Sequence, residues 1–292
     1  MTDAPQLCLG TVQFGLSYGV TNQAGQVPQV EVCRILELAA TSGIDLLDTA
    51  QAYGTAETVL GRCWPTDSPR RLISKLPAAA GRQSWEESLI TSLQRLQAPK
   101  LNGFLLHRAS DLLAPHGEAL LDWLEGLRER GLVERIGVSI YDASELEGLP
   151  LDRLQLVQLP LSVYDQRLIR DGTVGQLQNL GISVHVRSVL LQGLLLEAPE
   201  HWPAHLSPAF REHHARWLEH LHQGGVSALA GALGFVRACD GVEAVLVGVL
   251  SAKELEGVLQ AWSQAEAAPF DVPLVWAWEN VMDLDPRRWP PR

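Results

Sequence analysis

Cysteine is scarce in this chain, and its placement argues against two kinds of site. The four cysteines are Cys8, Cys33, Cys63 and Cys239, and no two of them form a Cys-X-X-Cys motif. Such wide, irregular spacing is not typical of a disulfide scaffold or of a zinc site, so we expect no metal. Cys8 and Cys33 lie in apolar patterns, and we expect both to be buried thiols.

Positive charge is also sparse. The chain has 23 lysines and arginines against 34 aspartates and glutamates, a net charge of −11 at pH 7. Nucleic acids and anionic membrane surfaces both select for clustered basic residues, so this balance argues against either partner. The sequence shows no apolar run of membrane-spanning length and no basic, apolar leader. We therefore expect a soluble, cytoplasmic protein.

Apolar residues, in contrast, are plentiful and regularly arranged. They make up 46% of the 292 residues, enough for a large core. Short apolar runs alternate with helical patterns about eight times, which predicts a parallel sheet closed into a (β/α)8 TIM barrel. We expect a single domain over residues 1–292, with the tail 264–292 packing on the barrel. A doubly wound fold is less favoured, because no Gly-X-Gly-X-X-Gly follows the first strand.

The most informative stretch is 43–54, which reads GIDLLDTAQAYG. Asp48 ends a predicted strand, and Tyr53 follows it in a loop. These two residues alone favour a loop brace and a packed ring over a catalytic pair, because Asp is common where chains turn. The next two predicted strands end in Lys75 and His107. Because the carboxyl ends of barrel strands converge on one face, we expect all four side chains to meet in one pocket.

These four groups are suited to proton transfer to a carbonyl oxygen. We predict that Tyr53 is the acid and that the Lys75 ammonium lowers its pKa from the usual value of about 10. Asp48 would support Lys75, and a neutral His107 would orient the substrate oxygen. None of these side chains transfers electrons, so a cofactor is required.

The same residues resemble the catalytic motifs of the aldo-keto reductases. The similar segments are DTAQAYG at 48–54, SK at 74–75 and LLH at 105–107, with further resemblance at 9–15, 137–141, 157–160 and 247–255. This resemblance covers nearly the whole chain. It implies a (β/α)8 barrel that binds NADPH, or less often NADH, and reversibly reduces aldehydes or ketones to alcohols.

The resemblance also implies which residues contact the cofactor. Ser139 and Gln158 would hold the nicotinamide carboxamide, next to Asp48. The residues implied along nicotinamide and pyrophosphate are Gly10, Thr11, Arg187, Leu190, Gln192, Gly193 and Leu194. The residues implied near the adenosine end are Gly248, Ser251, Lys253 and Glu254.

Four positions depart from the family pattern. Ile140 stands where the family usually has Asn, which removes one carboxamide hydrogen bond, and Arg187 replaces an aromatic that often stacks on nicotinamide. Glu254 stands where an arginine often grips the 2′-phosphate, and Val258 where an Asn often contacts adenine. A carboxylate repels phosphate, although Lys253 would compensate as a point charge. The resemblance to the family favours NADP(H), and the residues at the adenosine end favour NAD(H) as the alternative.

Four histidines cluster on a predicted polar helix at 208–222. They are His213, His214, His220 and His222. Neither adjacent residues nor residues two apart share a helix face, so this spacing disfavours a metal site. We expect a solvated helix or a lid.

Aromatic residues offer further candidates for the pocket wall. Trp276, Trp278 and Trp289 lie in the tail, where they would either line the substrate pocket or pack against the outside of the barrel. Tyr18 and Trp85 would flank the pocket on the basis of their loop positions alone.

Three functions remain open from the sequence. The favoured one is an NAD(P)(H)-dependent reductase acting on a small aldehyde, ketone or sugar. The second is a non-catalytic barrel that binds the cofactor as a sensor or structural subunit, which the departures at Ile140 and Glu254 allow. The third is a metal-dependent hydrolase that uses Asp48 and His107. The oligomeric state stays open.

Overall fold

Eight parallel strands close into a barrel in the computed structural model, which describes residues 4–78, 84–267 and 274–290. Each strand pairs with its neighbour in the sequence, and the first pairs with the eighth, so the predicted (β/α)8 barrel is confirmed. The strands are β1 Gln6–Gly10, β2 Leu46–Asp48, β3 Arg71–Leu76, β4 Leu101–Leu106, β5 Val133–Ser139, β6 Leu156–Pro160, β7 Ser183–Arg187 and β8 Ala244–Gly248.

The strand register places the candidate site residues at one end of the barrel. Gly10 at the end of β1 is level with Asp48 on one side and with Gly248 on the other. Ser139 is level with Gln158 across β5 and β6. These residues therefore lie on the carboxyl-terminal face, where the active sites of such barrels lie.

Alternation along the strands divides the core into two layers. A small inner layer fills the barrel with side chains that include Cys8, Leu46, Ile73 and Leu105. A larger layer lies between the strands and the surrounding helices, with residues such as Leu72 and Phe104. Successive residues of a strand point to opposite faces, which explains why Leu72 and Ile73 belong to different layers.

Helices follow most of the strands and pack around the sheet. The α-helices are α1 Val12–Gly15, α2 Gln29–Thr41, α3 Ala56–Cys63, α4 Trp85–Leu96, α5 Gly117–Glu129, α6 Arg167–Arg170, α7 Thr173–Asn179, α8 Pro208–Gln223, α9 Ala228–Arg237, α10 Ala252–Ala267 and α11 Val281–Leu284. Short 3₁₀ turns span Ala109–Leu113, Ala143–Leu146, Leu151–Arg153, Leu191–Leu196, Pro199–His201, Leu274–Trp276 and Pro286–Arg288. None of the helices in the described ranges is long and apolar enough to cross a membrane.

Predicted element boundaries differ slightly from the observed ones. His107 lies one residue beyond β4 rather than at its end, and β3 continues one residue past Lys75. Ser251 caps the last long helix as expected, because its Oγ accepts a hydrogen bond from the Glu254 amide at 3.2 Å. Strand ends are set by hydrogen bonds between strands, which apolar patterns do not reveal.

One cysteine prediction is wrong. Cys33 on α2 is not a free thiol but forms a disulfide with Cys63 at the end of α3. The two residues are 30 positions apart, and their approach follows from the packing of α2 against α3 rather than from any local motif. Cys8 is a buried free thiol, as expected, and Cys239 is free and half-buried.

Residues 274–290 of the C-terminal segment contact the elements that follow β6 and β7. The Trp278 amide donates to the Tyr164 carbonyl at 2.9 Å, and the Trp276 carbonyl lies 3.0 Å from Nε2 of His213 on α8. Asp283 accepts hydrogen bonds from the amide and the hydroxyl of Ser207, which precedes α8. The other parts of the predicted tail, 268–273 and 291–292, lie outside the described residues.

Candidate active site

A buried ion pair forms the base of the site. Nζ of Lys75 donates to Oδ1 of Asp48 at 2.6 Å and to the Thr49 carbonyl at 2.9 Å. Nε2 of Gln158 donates to the other carboxylate oxygen of Asp48 at 2.8 Å. Asp48, Lys75 and Gln158 are all at least 97% buried, which requires such pairing because an isolated buried charge is costly. Asp48 therefore fixes both the ammonium and the Gln158 amide.

Tyr53 lies beside this pair in the loop after β2. Its ring centre is 5.1 Å from Nζ of Lys75 and 5.9 Å from the His107 ring, which it meets edge to face. The loop is held by close packing of Gly15 on Gly54: a Cβ on Gly15 would come within 1.8 Å of the Tyr53 carbonyl. Only glycine permits that approach. The structure thus brings the four predicted catalytic side chains together.

The protonation states of these groups follow from burial and from charge. Burial raises the pKa of Tyr53 above its ordinary value of 10.0, and Lys75 opposes this shift only in part. Burial alone would lower the pKa of Lys75, but Asp48 and Tyr53 outweigh it, so that pKa is raised. Burial, and then repulsion from Lys75, lowers the pKa of His107 to about 4. At neutral pH the site holds a neutral phenol, an ammonium and a neutral imidazole.

The expected net lowering of the Tyr53 pKa is therefore wrong. Lys75 does act in the predicted direction, because an ammonium favours the phenolate. Burial disfavours the phenolate more strongly, and the net shift is upward. A raised pKa keeps the phenol protonated, which is the form that a proton donor requires.

A cavity of about 590 Å³ opens from Tyr53 and His107 and reaches α10. Most of the predicted cofactor residues line it, namely Gly10, Thr11, Asp48, Ser139, Gln158, Arg187, Leu190, Gln192, Gly193, Gly248 and Glu254. The other predicted residues lie elsewhere. Leu194 is buried in the core, Ser251 caps α10, and Lys253 is exposed.

Several cavity residues were missed from the sequence. Gln13 on α1 lines the cavity, and its buried Oε1 has no hydrogen-bond partner. Tyr141 and Ser188 also line the cavity. Gln13 lies within the motif GTVQFG at 10–15, so a polar residue in an otherwise apolar segment was the available signal.

The backbone after β7 is unusual where it borders the cavity. Ser188, Leu191 and Gln192 have positive φ values of 60°, 46° and 55°, although none of them is glycine. Such conformations cost about 1–3 kcal/mol each and cluster at ligand sites. The Thr21 hydroxyl donates to the Gln192 carbonyl at 3.0 Å, which ties this segment to the loop after β1.

Arg187 lies against a protein ring. Its guanidinium carbon is 3.8 Å from the centre of the Tyr141 ring, and its NH2 group donates to the Ile140 carbonyl at 2.8 Å. The Ile140 side chain is fully buried, so this residue presents its carbonyl rather than a side-chain amide to the site. One face of Arg187 is therefore already covered by Tyr141.

The expectation of a solvated histidine helix is wrong for half of its histidines. His213 and His214 are buried, whereas His220 and His222 are exposed. Nδ1 of His214 lies 2.7 Å from the Tyr164 hydroxyl, and Nε2 lies 2.8 Å from the Glu197 carbonyl. Across the described part of the chain, no group of three His, Cys, Asp or Glu residues could hold a metal ion.

Of the candidate aromatic residues, Tyr18 lines the cavity. Trp85 does not, because it is buried against Trp123. Trp276 and Trp278 pack on the aromatic side chains of α8. Within the residues that the structure describes, no tryptophan lines the cavity.

Comparisons with known proteins agree with this geometry. A model of the Aldo/keto reductase family matches residues 6–271. The chloroplastic pyridoxal reductase of Arabidopsis thaliana is 30% identical over 158 residues, which are 45% of this chain and 43% of that protein. The match thus spans less than half of that protein's length.

Solved structures share the fold. The holo form of aldo-keto reductase AKR11C1 from Bacillus halodurans gives a TM-score of 0.73 at 22% identity, covering 92% of this chain and 89% of that one. An aldo-keto reductase from Klebsiella pneumoniae in complex with NADPH gives a TM-score of 0.67 at 19% identity, covering 89% and 86%. At such identities the similarity shows the barrel fold and no more.

Proposed function

This chain belongs to the aldo/keto reductase family, and on that premise we propose that it reduces the carbonyl group of a small aldehyde, ketone or sugar with hydride from NAD(P)H. One observation carries the proposal. A neutral phenol, Tyr53, lies beside the buried Asp48–Lys75 pair and a neutral His107, at a cavity large enough for ligands. This is the arrangement that proton donation to a carbonyl oxygen requires.

Each of the four residues has a distinct role in this proposal. Tyr53 donates its hydroxyl proton to the carbonyl oxygen as negative charge develops there. Lys75 stabilises the phenolate that remains, because opposite charges attract strongly in a buried site. Asp48 keeps Lys75 charged and in place. His107 is neutral above about pH 4 and hydrogen-bonds the substrate oxygen.

The cavity residues fit a nicotinamide dinucleotide, which would supply the hydride when bound. Gln158 commits one amide hydrogen to Asp48, which leaves its Oε1 as an acceptor for a carboxamide. Ser139 and the unpaired Oε1 of Gln13 are further polar groups at the cavity wall. The family resemblance favours NADP(H), with NAD(H) as the alternative.

The substrate is proposed only as a class. Because a partial relative is a pyridoxal reductase, pyridoxal is a suitable first aldehyde in a panel that also includes small ketones and sugars.

The substitution Tyr53→Phe tests the mechanism. It removes the proton and little else, so turnover should fall at least a hundredfold while cofactor binding persists. Tyr164→Phe is the matched control, since it removes a buried phenol hydroxyl that does not border the cavity. Undiminished reduction by Tyr53→Phe would refute the role of Tyr53. Saturable cofactor binding without turnover of any carbonyl by the unmodified protein would favour the non-catalytic alternative.

A further inference from the structure

The N-terminus of α10 borders the same cavity as Tyr53. Glu254, Gly257 and Val258 of this helix are part of the cavity lining. Proton and hydride must reach the same carbonyl, so the nicotinamide end of the cofactor belongs beside Tyr53. The remainder of the dinucleotide then extends towards α10. The segment after the eighth strand and a helix N-terminus are where barrels commonly bind phosphate.

The backbone amides at this helix end are already occupied by protein groups. The Leu250 amide donates to Oε2 of Glu254 at 2.8 Å, and the Ala252 amide donates to Oε1 of Glu31 at 2.8 Å. The Glu254 amide donates to the Ser251 hydroxyl at 3.2 Å. A phosphate arriving here would have to displace the two carboxylates and the hydroxyl that satisfy these amides. The N-terminus of α10 therefore has none of these three amides free to bind a phosphate.

The local charge also opposes a phosphate. Glu31 reaches this point from α2, and its other carboxylate oxygen lies 3.3 Å from NH1 of Arg34, whose side chain is 68% exposed. Lys253 is the cation in the first turn of α10, and it is exposed. Two carboxylates bonded at one helix end repel a further anion. In NAD sites of other folds, acidic residues accept hydrogen bonds from a ribose hydroxyl.

We propose that Glu31 and Glu254 make this enzyme select NAD(H), whose adenosine ribose has a free 2′-hydroxyl, over the 2′-phosphorylated NADP(H). The inference deepens the proposed function and rests on it. It reverses the preference that the family resemblance favours. Glu31 was not apparent as a candidate from the sequence, because it lies 221 residues before Ala252.

The test is a pair of binding titrations, with NADH and NADPH, followed by quenching of tryptophan fluorescence at low ionic strength. We expect NADH to bind at least tenfold more tightly than NADPH. Raising the salt concentration should narrow this ratio, because exposed charges are screened. No substrate or turnover is needed for this measurement.

Charge-neutralising variants identify the residues responsible. Glu254→Gln and Glu31→Gln keep the shape and an amide-accepting oxygen, so each should tighten NADPH binding severalfold. Each should weaken NADH binding only slightly, because a neutral oxygen still accepts a hydrogen bond from the ribose hydroxyl. The double variant should bring the two dissociation constants close together. Glu256→Gln is the matched control, since Glu256 is an exposed carboxylate on the same helix. It should leave the ratio as in the unmodified protein.

The outcomes distinguish a failure of the NAD(H) inference from a failure of the proposed reductase function. Equal or tighter binding of NADPH by the unmodified protein would overturn the inference and leave the reductase function standing. The inference would also be overturned if the ratio of the NADPH and NADH dissociation constants changed no more in the Glu31 and Glu254 variants than in Glu256→Gln. Failure of both dinucleotides to bind would overturn the proposed function, and the inference with it.

Discussion

Arg287, in the C-terminal segment, lies with its guanidinium carbon 3.7 Å from the centre of the Tyr141 ring. Arg187 lies 3.8 Å from the same centre, and two planar groups at that height must cover opposite faces of the ring. Arg287 is itself held by Asp285 at 2.8 Å and by Glu145 at 3.3 Å. The C-terminal segment is therefore attached to the wall of the cavity through Tyr141.

Arg287→Ala should weaken ligand binding at this wall. A cation over an aromatic ring contributes about 0.5–1 kcal/mol at exposed sites, so the KM for carbonyl substrate or cofactor should rise about two- to fivefold. The kcat should change little, because Arg287 does not line the cavity. Steady-state kinetics give both constants. Arg288→Ala is the control, since Arg288 also pairs with Asp285 but does not contact Tyr141. Equal effects in the two variants would contradict this role.

Asp48→Asn should destabilise the protein strongly. The change leaves the Lys75 ammonium buried without its counter-charge, which typically costs about 3–5 kcal/mol. The free energy of unfolding in urea measures the loss. Asp45→Asn provides the comparison, because the Asp45–Arg71 pair is about one-third exposed and should contribute no more than about 1 kcal/mol. Combining Asp48→Asn with Lys75→Met should recover part of the loss. If Asp48→Asn and Asp45→Asn lowered the free energy of unfolding by similar amounts, the buried Asp48–Lys75 pair would not have the expected effect on stability.

The pH profile of reduction should be flat across the neutral range. His107 has its pKa lowered to about 4, so it gains a proton, and a charge beside Lys75, only in acid. Tyr53 has its pKa raised above 10.0, so the proton that it would donate is lost only in strong alkali. Activity should therefore decline as the pH falls towards 4 or rises above 10. The measurement is kcat/KM against pH, with circular dichroism to confirm folding. An acid limb centred between pH 6 and 7 would be inconsistent with a buried, neutral His107.

Tyr164→Phe should reduce stability without abolishing turnover. It leaves the buried Nδ1 of His214 without its 2.7 Å partner, and an unsatisfied buried polar group costs about 1–3 kcal/mol. Urea unfolding measures this cost. His222→Ala, at an exposed position of the same helix, should stay within about 0.5 kcal/mol of the unmodified protein. Unchanged stability in Tyr164→Phe would mean that the hydrogen bond to His214 is not formed in solution.

Local patterns were sufficient to predict the architecture and the candidate catalytic cluster. About eight alternating strand and helix periods predict the barrel, since eight such units are typical of a closed parallel sheet. The doubly wound alternative is less favoured because its Gly-X-Gly-X-X-Gly motif does not follow the first strand. Once the barrel is assumed, Asp48, Lys75 and His107 follow as a cluster from their positions at the ends of consecutive strands. The position of Tyr53 in this cluster also follows, because Tyr53 lies in the short loop that begins directly after Asp48.

The sequence by itself therefore determined the barrel and the cluster of four polar side chains at its carboxyl-terminal face, because both depend on residues whose positions are set by nearby strands. Tertiary structure alone decided the features that join distant segments: the Cys33–Cys63 disulfide, the carboxylate of Glu31 at the start of α10 and the Arg287–Tyr141 contact. It also decided the charge states, since the burial that raises the pKa of Tyr53 comes from many side chains at once. Such contacts depend on how helices and loops pack around the barrel, and the hydrophobic periodicity of a single segment does not predict that packing.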